Sequence, residues 1–306
     1  MNTFYIIAII LLSIAIILWC LAQYFILKRI KKISEHIKSQ RTSRSKQKES
    51  NNPLKELEHQ VNEWTEEREV EIEQLEKLEN YRKEFLGNVS HELKTPIFNI
   101  QGYISTLLDG GLEDKTINRD YLMRGMKSVD RMIAIVEDLQ TITQLEKGEL
   151  EIEEEKFDVI ALTKDIIDAQ ELKARERKIS LELTNDSAQQ VFAFADRFRI
   201  RQVIVNLIVN SVKYGKENGK TTLKISDAGE KIIVEVADSG IGIPKEHLPR
   251  VFERFYRVDK SRSREQGGTG LGLSIVKHIL EAHGQTISVM STEGAGSVFS
   301  FTLKKG

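Results

Sequence analysis

The stretch Ser90-His91-Glu92-Leu93-Lys94-Thr95-Pro96 lies in a segment whose apolar residues recur at helical spacing. This spacing predicts a helix that exposes His91 and Thr95, four residues apart, with Glu92 beside them. The predicted buried face carries Phe85, Val89, Leu93, Ile97 and Ile100. An exposed neutral imidazole is a nucleophile, and a neighbouring carboxylate can take or orient its other ring proton. Pro96 has no N–H to donate to the Glu92 carbonyl, so we expect a kink one turn after His91.

A second apolar stripe predicts a helix over Asn118–Glu146, after a turn at Asp109-Gly110-Gly111. Two consecutive helices of this kind form an antiparallel hairpin. The core of one hairpin is too small to be stable alone, so we expect a homodimer in which two hairpins make a four-helix bundle.

The composition limits the classes of function. A net charge of -1 over 306 residues argues against general nucleic-acid binding. The single cysteine, Cys20, cannot build a disulfide framework or a thiolate metal site. The length and the 40% hydrophobic content suit two modest folded units with flanking segments.

Residues 4–27 contain no charged side chain, and as a helix they would extend about 36 Å, enough to cross a hydrocarbon core of roughly 30 Å. We predict a single transmembrane helix there. The basic residues that follow place the C-terminal side in the cytoplasm, with residues 1–3 as a short extracytoplasmic end. We therefore expect no folded extracytoplasmic ligand-binding domain. A cleaved signal peptide is disfavoured, because the basic start and the cleavage site are missing.

Two further segments separate the membrane from the histidine helix. Residues 28–53 are expected to be a basic linker, which either is simply solvated or contacts anionic membrane lipid. Over residues 54–80 apolar residues recur at heptad spacing with one phase shift, which favours a two-stranded coiled coil with a stutter over a single solvated helix. The start of this segment resembles a degenerate HAMP linker.

After residue 148 the pattern changes to mixed strands and helices. We predict strands at 150–152, 181–183 and 231–236 and a helix at 159–175, which together favour an α/β sandwich. No Walker-type phosphate loop of the G-x-x-x-x-G-K form is present in this sequence.

One predicted helix of this region places two amides, Asn206 and Asn210, on the same face. An amide oxygen is a suitable ligand for Mg²⁺ that also binds phosphate oxygens. Two exposed asparagines without a role are the alternative, but Lys213 and Tyr214, one turn further on, favour a polyphosphate site.

Two glycine motifs follow. Asp238 precedes Gly240 and Gly242, so the chain can turn tightly and a buried carboxylate can accept from the exocyclic amine of adenine. An ordinary hairpin turn remains the alternative for this motif. The second motif comes before a helix predicted at 274–283, where backbone N–H groups converge on phosphates. Its residues are Gly268, Thr269, Gly270, Leu271 and Gly272.

A polar segment, residues 259–266, lies between the two motifs and is expected to be a mobile lid. Just before it, either Arg254 or Arg257 could neutralise charge on a transferring phosphoryl group, and the sequence leaves the choice between them open.

Residues 79–304 resemble the sensor histidine kinases, with their boxes in family order: an H-box at 85–96, an N-box at Asn206 and Asn210, G1 at Asp238, an F-box at 251–257 and G2 at Gly268. The resemblance implies a HisKA dimerisation and phosphoacceptor domain over 81–147. It also implies a HATPase_c domain over 148–306, an α/β two-layer sandwich of the type found in gyrase and histidine kinases.

In that family, ATP phosphorylates the residue at His91, Glu92 acts as general base, and the phosphoryl group passes to an aspartate of a response regulator. Thr95 would position the water that hydrolyses the regulator's phosphoaspartate. Asn210 would hold Mg²⁺ and Lys213 would contact phosphate. Asp238 would select ATP over GTP.

Two alternatives from other classes remain. A hydrolytic ATPase of the same fold carries a glutamate where this chain has Asn206, and an amide cannot accept the proton of an attacking water. A scaffold could sequester a response regulator without catalysis, or act mainly as its phosphatase. The intact Asn210 and Asp238 count against a scaffold without catalysis.

Overall fold

A computed structural model of the chain describes residues 16–26, 28–29, 31–32, 53–146, 151–185, 190–258 and 268–306. Residues 16–26, 28–29 and 31–32 are helical. Of the segments predicted above, 4–15, most of the basic linker and the lid at 259–266 lie outside the described residues. Within the described ranges, every helix is too short or too polar to cross a membrane.

The chain divides into two compact units, Met1–Lys83 and Glu84–Gly306. The long helix α1, Pro53–Thr106, contributes residues to both units. In the first unit, the side chains at heptad positions Val61, Trp64 and Ile72 are exposed. They are available to a second helix, as the coiled-coil prediction requires.

The second unit begins with a helical hairpin. Helix α1 is followed by a π-helical turn, Leu107–Gly111, and by α2, Asn118–Glu146. Gly110 adopts φ 104°, a left-handed conformation that glycine tolerates best. The predicted second helix and the predicted turn are therefore confirmed.

The exposed and buried faces of α1 follow the prediction with one exception. His91 and Thr95 are exposed, and four of the five apolar positions predicted to be buried are half-buried. Ile97 is exposed, and Pro96, one residue earlier, is buried in its place. Pro96 lies inside the helix without ending it, since α1 continues to Thr106.

The rest of the second unit is an α/β sandwich. Its strands are β1 Glu155–Asp158, β2 Ser180–Asn185, β3 Phe192–Ala195, β4 Lys220–Asp227, β5 Lys231–Asp238, β6 Ile287–Thr292 and β7 Gly296–Lys304. Five of them form a sheet with the order β2-β4-β5-β7-β6, in which only β2 and β4 pair in parallel, and β1 pairs with β3 in a separate antiparallel ribbon. The helices are α3 Val159–Glu176, α4 Arg197–Tyr214 and α5 Gly272–Ala282. Buried side chains of these helices and of β4, β5 and β7 form one hydrophobic core.

Side-chain caps set where two helices begin. Oδ1 of Asp158 accepts from the backbone N–H of Ile160 at 2.9 Å, and Oδ1 of Asp196 accepts from Arg199 N–H at 3.0 Å. An N-cap aspartate satisfies amide donors that the helix itself leaves unpaired. The cap at Asp196 fixes the start of α4, the helix that carries the asparagine pair.

Two predicted elements need correction. Residues 151–154 form no strand, and β1 begins at Glu155. The N–H of Glu153 instead donates to the Asp196 carboxylate at 3.3 Å. Helix α5 begins two residues before the predicted start, because the carbonyl of Leu271 already accepts from Ile275 N–H at 2.9 Å.

Candidate functional site

Helix α4 presents Asn206, Asn210 and Lys213 on one half-buried face, while Leu207 on another face is fully buried. Asn206 lies against the start of α5, since a Cβ on Gly272 would be 3.4 Å from its Oδ1. The amide oxygen of Asn210, like that of Asn206, is of the type that can bind Mg²⁺. Among the described residues, no group of three or more His, Cys, Asp or Glu side chains could hold a metal ion.

Lys213 lies in a strongly cationic environment. Burial, together with the neighbouring Arg257, Arg131 and Arg177, lowers the pKa of its ammonium group to about 8, although Glu92 opposes this shift. Its Nζ is 5.0 Å from the centre of the Tyr214 ring. A concentration of cations around a half-buried lysine is a suitable environment for the oxygens of a polyphosphate.

Gly268 closes one side of this cationic region. A Cβ on Gly268 would lie 2.0 Å from Lys213 Nζ, so the backbone passes directly over the ammonium group. The second glycine motif and α4 therefore meet at Lys213.

Asp238 ends β5 and is half-buried. Burial raises the pKa of its carboxyl group, and hydrogen bonds from the backbone N–H groups of Gly240 and Ser297 partly oppose the shift. Gly240 N donates to Asp238 Oδ1 at 2.8 Å. A Cβ on Gly240 would be 2.5 Å from the carbonyl oxygen of Tyr214, and one on Gly242 would be 2.0 Å from that of Thr292. A Cβ on Gly240 would also lie 2.6 Å from Asp238 Oδ1, so a side chain there would disturb the carboxylate that is expected to meet adenine.

The second glycine motif contacts helix α2. Thr269 Oγ1 donates to Asp138 Oδ2 at 3.0 Å and accepts from Leu271 N–H at 3.1 Å. Burial raises the pKa of Asp138 to about 6, although the Thr269 hydroxyl opposes this shift. Gly270 has φ 76°, and its carbonyl accepts from Phe255 N–H at 2.9 Å.

Glu92, next to the exposed His91, is held by two guanidinium groups. Its Oε2 lies 2.9 Å from Arg257 Nη2 and 3.1 Å from Arg131 Nη2. The Glu92 side chain is 12% exposed and that of Arg257 is 8% exposed. Arg257 Nη2 also donates to the Gly268 carbonyl. The same guanidinium group thus contacts the histidine helix and the glycine motif.

The structure separates the two arginines that the sequence left equivalent. Arg254 stacks on the ring of Phe85, with its Cζ 5.4 Å from the ring centre, and Phe255 packs on the same ring at 5.7 Å. Arg257 instead joins Lys213 and Gly268. Of the two, only Arg257 lies where several predicted phosphate ligands converge.

Three residues at this site were missed by the sequence reasoning. Arg131 and Asp138 lie on α2, and Arg177 donates from its Nη1 to the carbonyl of Lys213 at 3.2 Å. Each makes its contact with a residue 36 or more positions away along the chain. No local motif marks such residues, so only the folded arrangement identifies them.

Two protein families match the chain. Residues 81–148 match the His Kinase A (phospho-acceptor) domain, and residues 195–306 match the histidine kinase-, DNA gyrase B- and HSP90-like ATPases.

Similar proteins are found among curated sequences and among solved structures. The chain is 37% identical over 235 residues to the sensor histidine kinase WalK of Bacillus subtilis, an alignment that covers 76% of this chain and 38% of WalK. The histidine kinase AdeS of Acinetobacter baumannii is 29% identical with a TM-score of 0.57, over 70% of this chain and 97% of that one. The histidine kinase ThkA, solved in complex with the response regulator protein TrrA, is 26% identical with a TM-score of 0.58, over 73% of this chain and 61% of that one.

Proposed function

This chain belongs to the two-component sensor histidine kinases, and from that membership we propose that it transfers the γ-phosphoryl group of ATP to His91 and then to an aspartate of a response regulator. The observation that carries the proposal is the contact between Arg257 and Glu92 at 2.9 Å. It brings a cation of the ATP-binding region to the residue beside the nucleophile.

The residues around Lys213 fit ATP. Asp238 would accept from the adenine amine, and the glycines beside it leave room for the base. Lys213, Gly268, Thr269, Gly270, Leu271 and Gly272 would surround the phosphates, with Asn206 and Tyr214 on the same side. Mg²⁺, held by the Asn210 amide oxygen, would neutralise phosphate charge.

In the transfer step, an imidazole nitrogen of His91 would form a bond to the γ-phosphorus while the bond to the bridging oxygen breaks and ADP leaves. Glu92 would take or orient the proton on the other ring nitrogen. Arg257, rather than Arg254, would meet the transferring group, because it lies with Lys213 and Gly268. Onward transfer from the N–P bond would phosphorylate the regulator.

The proposal also includes a phosphatase activity, the partners of the chain and its membrane anchor. Thr95, exposed one turn after His91, would position the water that dephosphorylates the regulator. ThkA forms a complex with a response regulator, which supports a regulator as partner here. Exposed apolar side chains along the hairpin support a homodimer.

The apolar run at 4–27 supports a single-pass anchor in the bacterial cytoplasmic membrane, with the catalytic domains in the cytoplasm. The alignment to WalK spans 38% of that protein, so these roles are proposed for this chain from its own residues.

Incubation with γ-labelled ATP tests the proposal. We expect acid-labile, base-stable label on the wild-type chain and none on His91→Gln, while the matched variant His59→Gln, changed at an exposed histidine of α1, keeps the label. Steady release of ADP without any protein-bound label would show that the chain is an ATPase. Label that persists on His91→Gln would place the phosphoacceptor elsewhere.

A further inference from the structure

Two arginines from different parts of the fold bind the same oxygen of Glu92. Arg131 comes from α2, which belongs to the same hairpin as Glu92, and Arg257 follows β5 in the ATP-binding sandwich. Both guanidinium groups contact Oε2, at 3.1 Å and 2.9 Å. The Arg131 contact is a charge-assisted hydrogen bond, the stronger class of hydrogen bond, whereas the Arg257 contact is an ion pair.

The two arginines differ in the groups, other than Glu92, that each can bind. Arg257 also donates to the Gly268 carbonyl and lies beside Lys213, where the phosphates of ATP are proposed to bind. A phosphate group is a better partner for guanidinium than a single carboxylate oxygen, so nucleotide draws Arg257 away from Glu92. Arg131 is fixed to the same hairpin as Glu92 and can remain with it.

Arg131 has a donor available for that role. Its Nε is buried and has no hydrogen-bond partner among the described residues. A buried donor without a partner is costly, and a guanidinium group that uses Nε and Nη together can hold both oxygens of a carboxylate. Once Arg257 leaves Oε2, the fork of Arg131 can close on Glu92.

We propose that Arg131 is a positioning residue for phosphoryl transfer, which holds the Glu92 carboxylate beside His91 after the phosphates have taken Arg257. This inference rests on the proposed kinase function. Glu92 is 12% exposed, and without Arg131 it would turn towards water to solvate its charge. A displacement of about 1 Å at a catalytic group can cost on the order of 100-fold in rate.

The test measures the initial rate of His91 phosphorylation by the full-length chain over a range of ATP concentrations. For Arg131→Gln we expect kcat to fall by about 10-fold or more, with KM for ATP within about 2-fold of the wild type. Arg131→Lys keeps the charge and should recover part of the rate. The matched control is Arg124→Ala, on the same helix, which removes an exposed pair with Asp120 and should leave kcat unchanged.

A double-mutant cycle with Glu92→Gln separates positioning from a structural role. If Arg131 acts through Glu92, Arg131→Gln costs little further rate in the Glu92→Gln background. An equal loss in both backgrounds, or a wild-type kcat for Arg131→Gln, overturns the inference. Because these outcomes all require the wild type to be labelled on His91, a failure of the proposed function is seen separately, as an unlabelled wild type.

Discussion

The carboxylate of Glu92 binds the same arginine that is proposed to bind the phosphates of ATP. Arg257 Nη2 lies 2.9 Å from Glu92 Oε2, and Lys213 is close enough for Glu92 to influence its pKa. Carboxylate and phosphate oxygens satisfy guanidinium in the same way, so one arginine cannot serve both at full strength. In the proposed mechanism, binding of nucleotide phosphates to Arg257 would therefore release Glu92, so that the proposed base becomes available when ATP is bound.

A substitution at Gly240 tests whether the Asp238 carboxylate binds adenine. In Gly240→Ala the new Cβ would be 2.5 Å from the Tyr214 carbonyl oxygen and 2.6 Å from Asp238 Oδ1. Both the backbone and the carboxylate must move, which should destabilise the fold by about 1–3 kcal/mol and weaken ATP binding. Thermal unfolding and titration with ATP measure the two effects.

The control for this variant is Gly125→Ala, because a Cβ at Gly125 on α2 meets no atom within 4 Å. Alanine favours helix over glycine by about 1 kcal/mol, so Gly125→Ala should be neutral or stabilising and should bind ATP normally. Unchanged ATP affinity in Gly240→Ala would mean that Asp238 does not meet the base.

Local motifs explain which site residues could be predicted. Asn206, Asp238 and Gly268 lie in short patterns whose chemistry is visible within a few residues. Arg131 and Asp138 have no such pattern, because their roles arise from contacts across 39 and 131 positions of sequence. Sequence spacing also could not separate Arg254 from Arg257, since the stacking of Arg254 on Phe85 depends on packing between elements.

Strong hydrophobic periodicity predicted the helices and strands most reliably. Helix α2 has the predicted bounds, and β5, which alternates between fully buried and more exposed residues, extends the predicted strand to Asp238. The prediction of a strand at 150–152 was wrong for residues 151 and 152, because a short apolar run does not distinguish a strand from a loop and the cap residue Asp196 binds Glu153 instead. The start of α5 was misplaced because glycine is a poor helix former, although Gly272 is its first residue.

The stability of the fold should depend on pH through Asp138, the residue of α2 that binds the second glycine motif. Burial raises the pKa of Asp138 to about 6 from its ordinary value of 3.8. The folded state therefore binds a proton more tightly than the unfolded state. Below pH 3.8 Asp138 is protonated in the folded and the unfolded state and does not lower the stability. Between pH 3.8 and about 6 the loss of stability from burying its charge grows, and above about 6 this loss is complete.

Asp138→Asn removes this charge and keeps an oxygen that can accept from Thr269. At pH 7.5 we expect the variant to unfold at a temperature about 2–6 °C above the wild type, because it avoids the desolvation cost. The difference should disappear as the pH falls towards 4. Thermal unfolding followed by circular dichroism over this range measures it, and Asp130→Asn, exposed on the same helix, is the matched control. A difference that is independent of pH would rule out the charge as its cause.

The helical hairpin exposes several large apolar side chains. Leu122, Met126 and Ile133 on α2 are 59%, 60% and 52% exposed, and Ile97 and Ile104 on α1 are 47% and 51% exposed. Their spacings of 4 and 7 residues place them on one stripe of each helix. An apolar stripe of this size on a helix pair indicates contact with another protein surface, and the predicted four-helix bundle would cover it with the same stripe of a second chain.

A charge in this stripe should therefore separate the two chains. We expect the full-length wild type to have twice the mass of the 35.0 kDa chain and Ile133→Glu to be monomeric, since a carboxylate at the centre of an apolar interface would have to be buried without a partner. Light scattering on detergent-solubilised protein measures the mass. Leu172→Glu is the matched control: Leu172 is 72% exposed on α3, outside the hairpin, and its charge should leave the mass unchanged. If Ile133→Glu also kept the dimer mass, a surface other than the apolar stripe of the hairpin would join the two chains. The stripe would then bind a different partner.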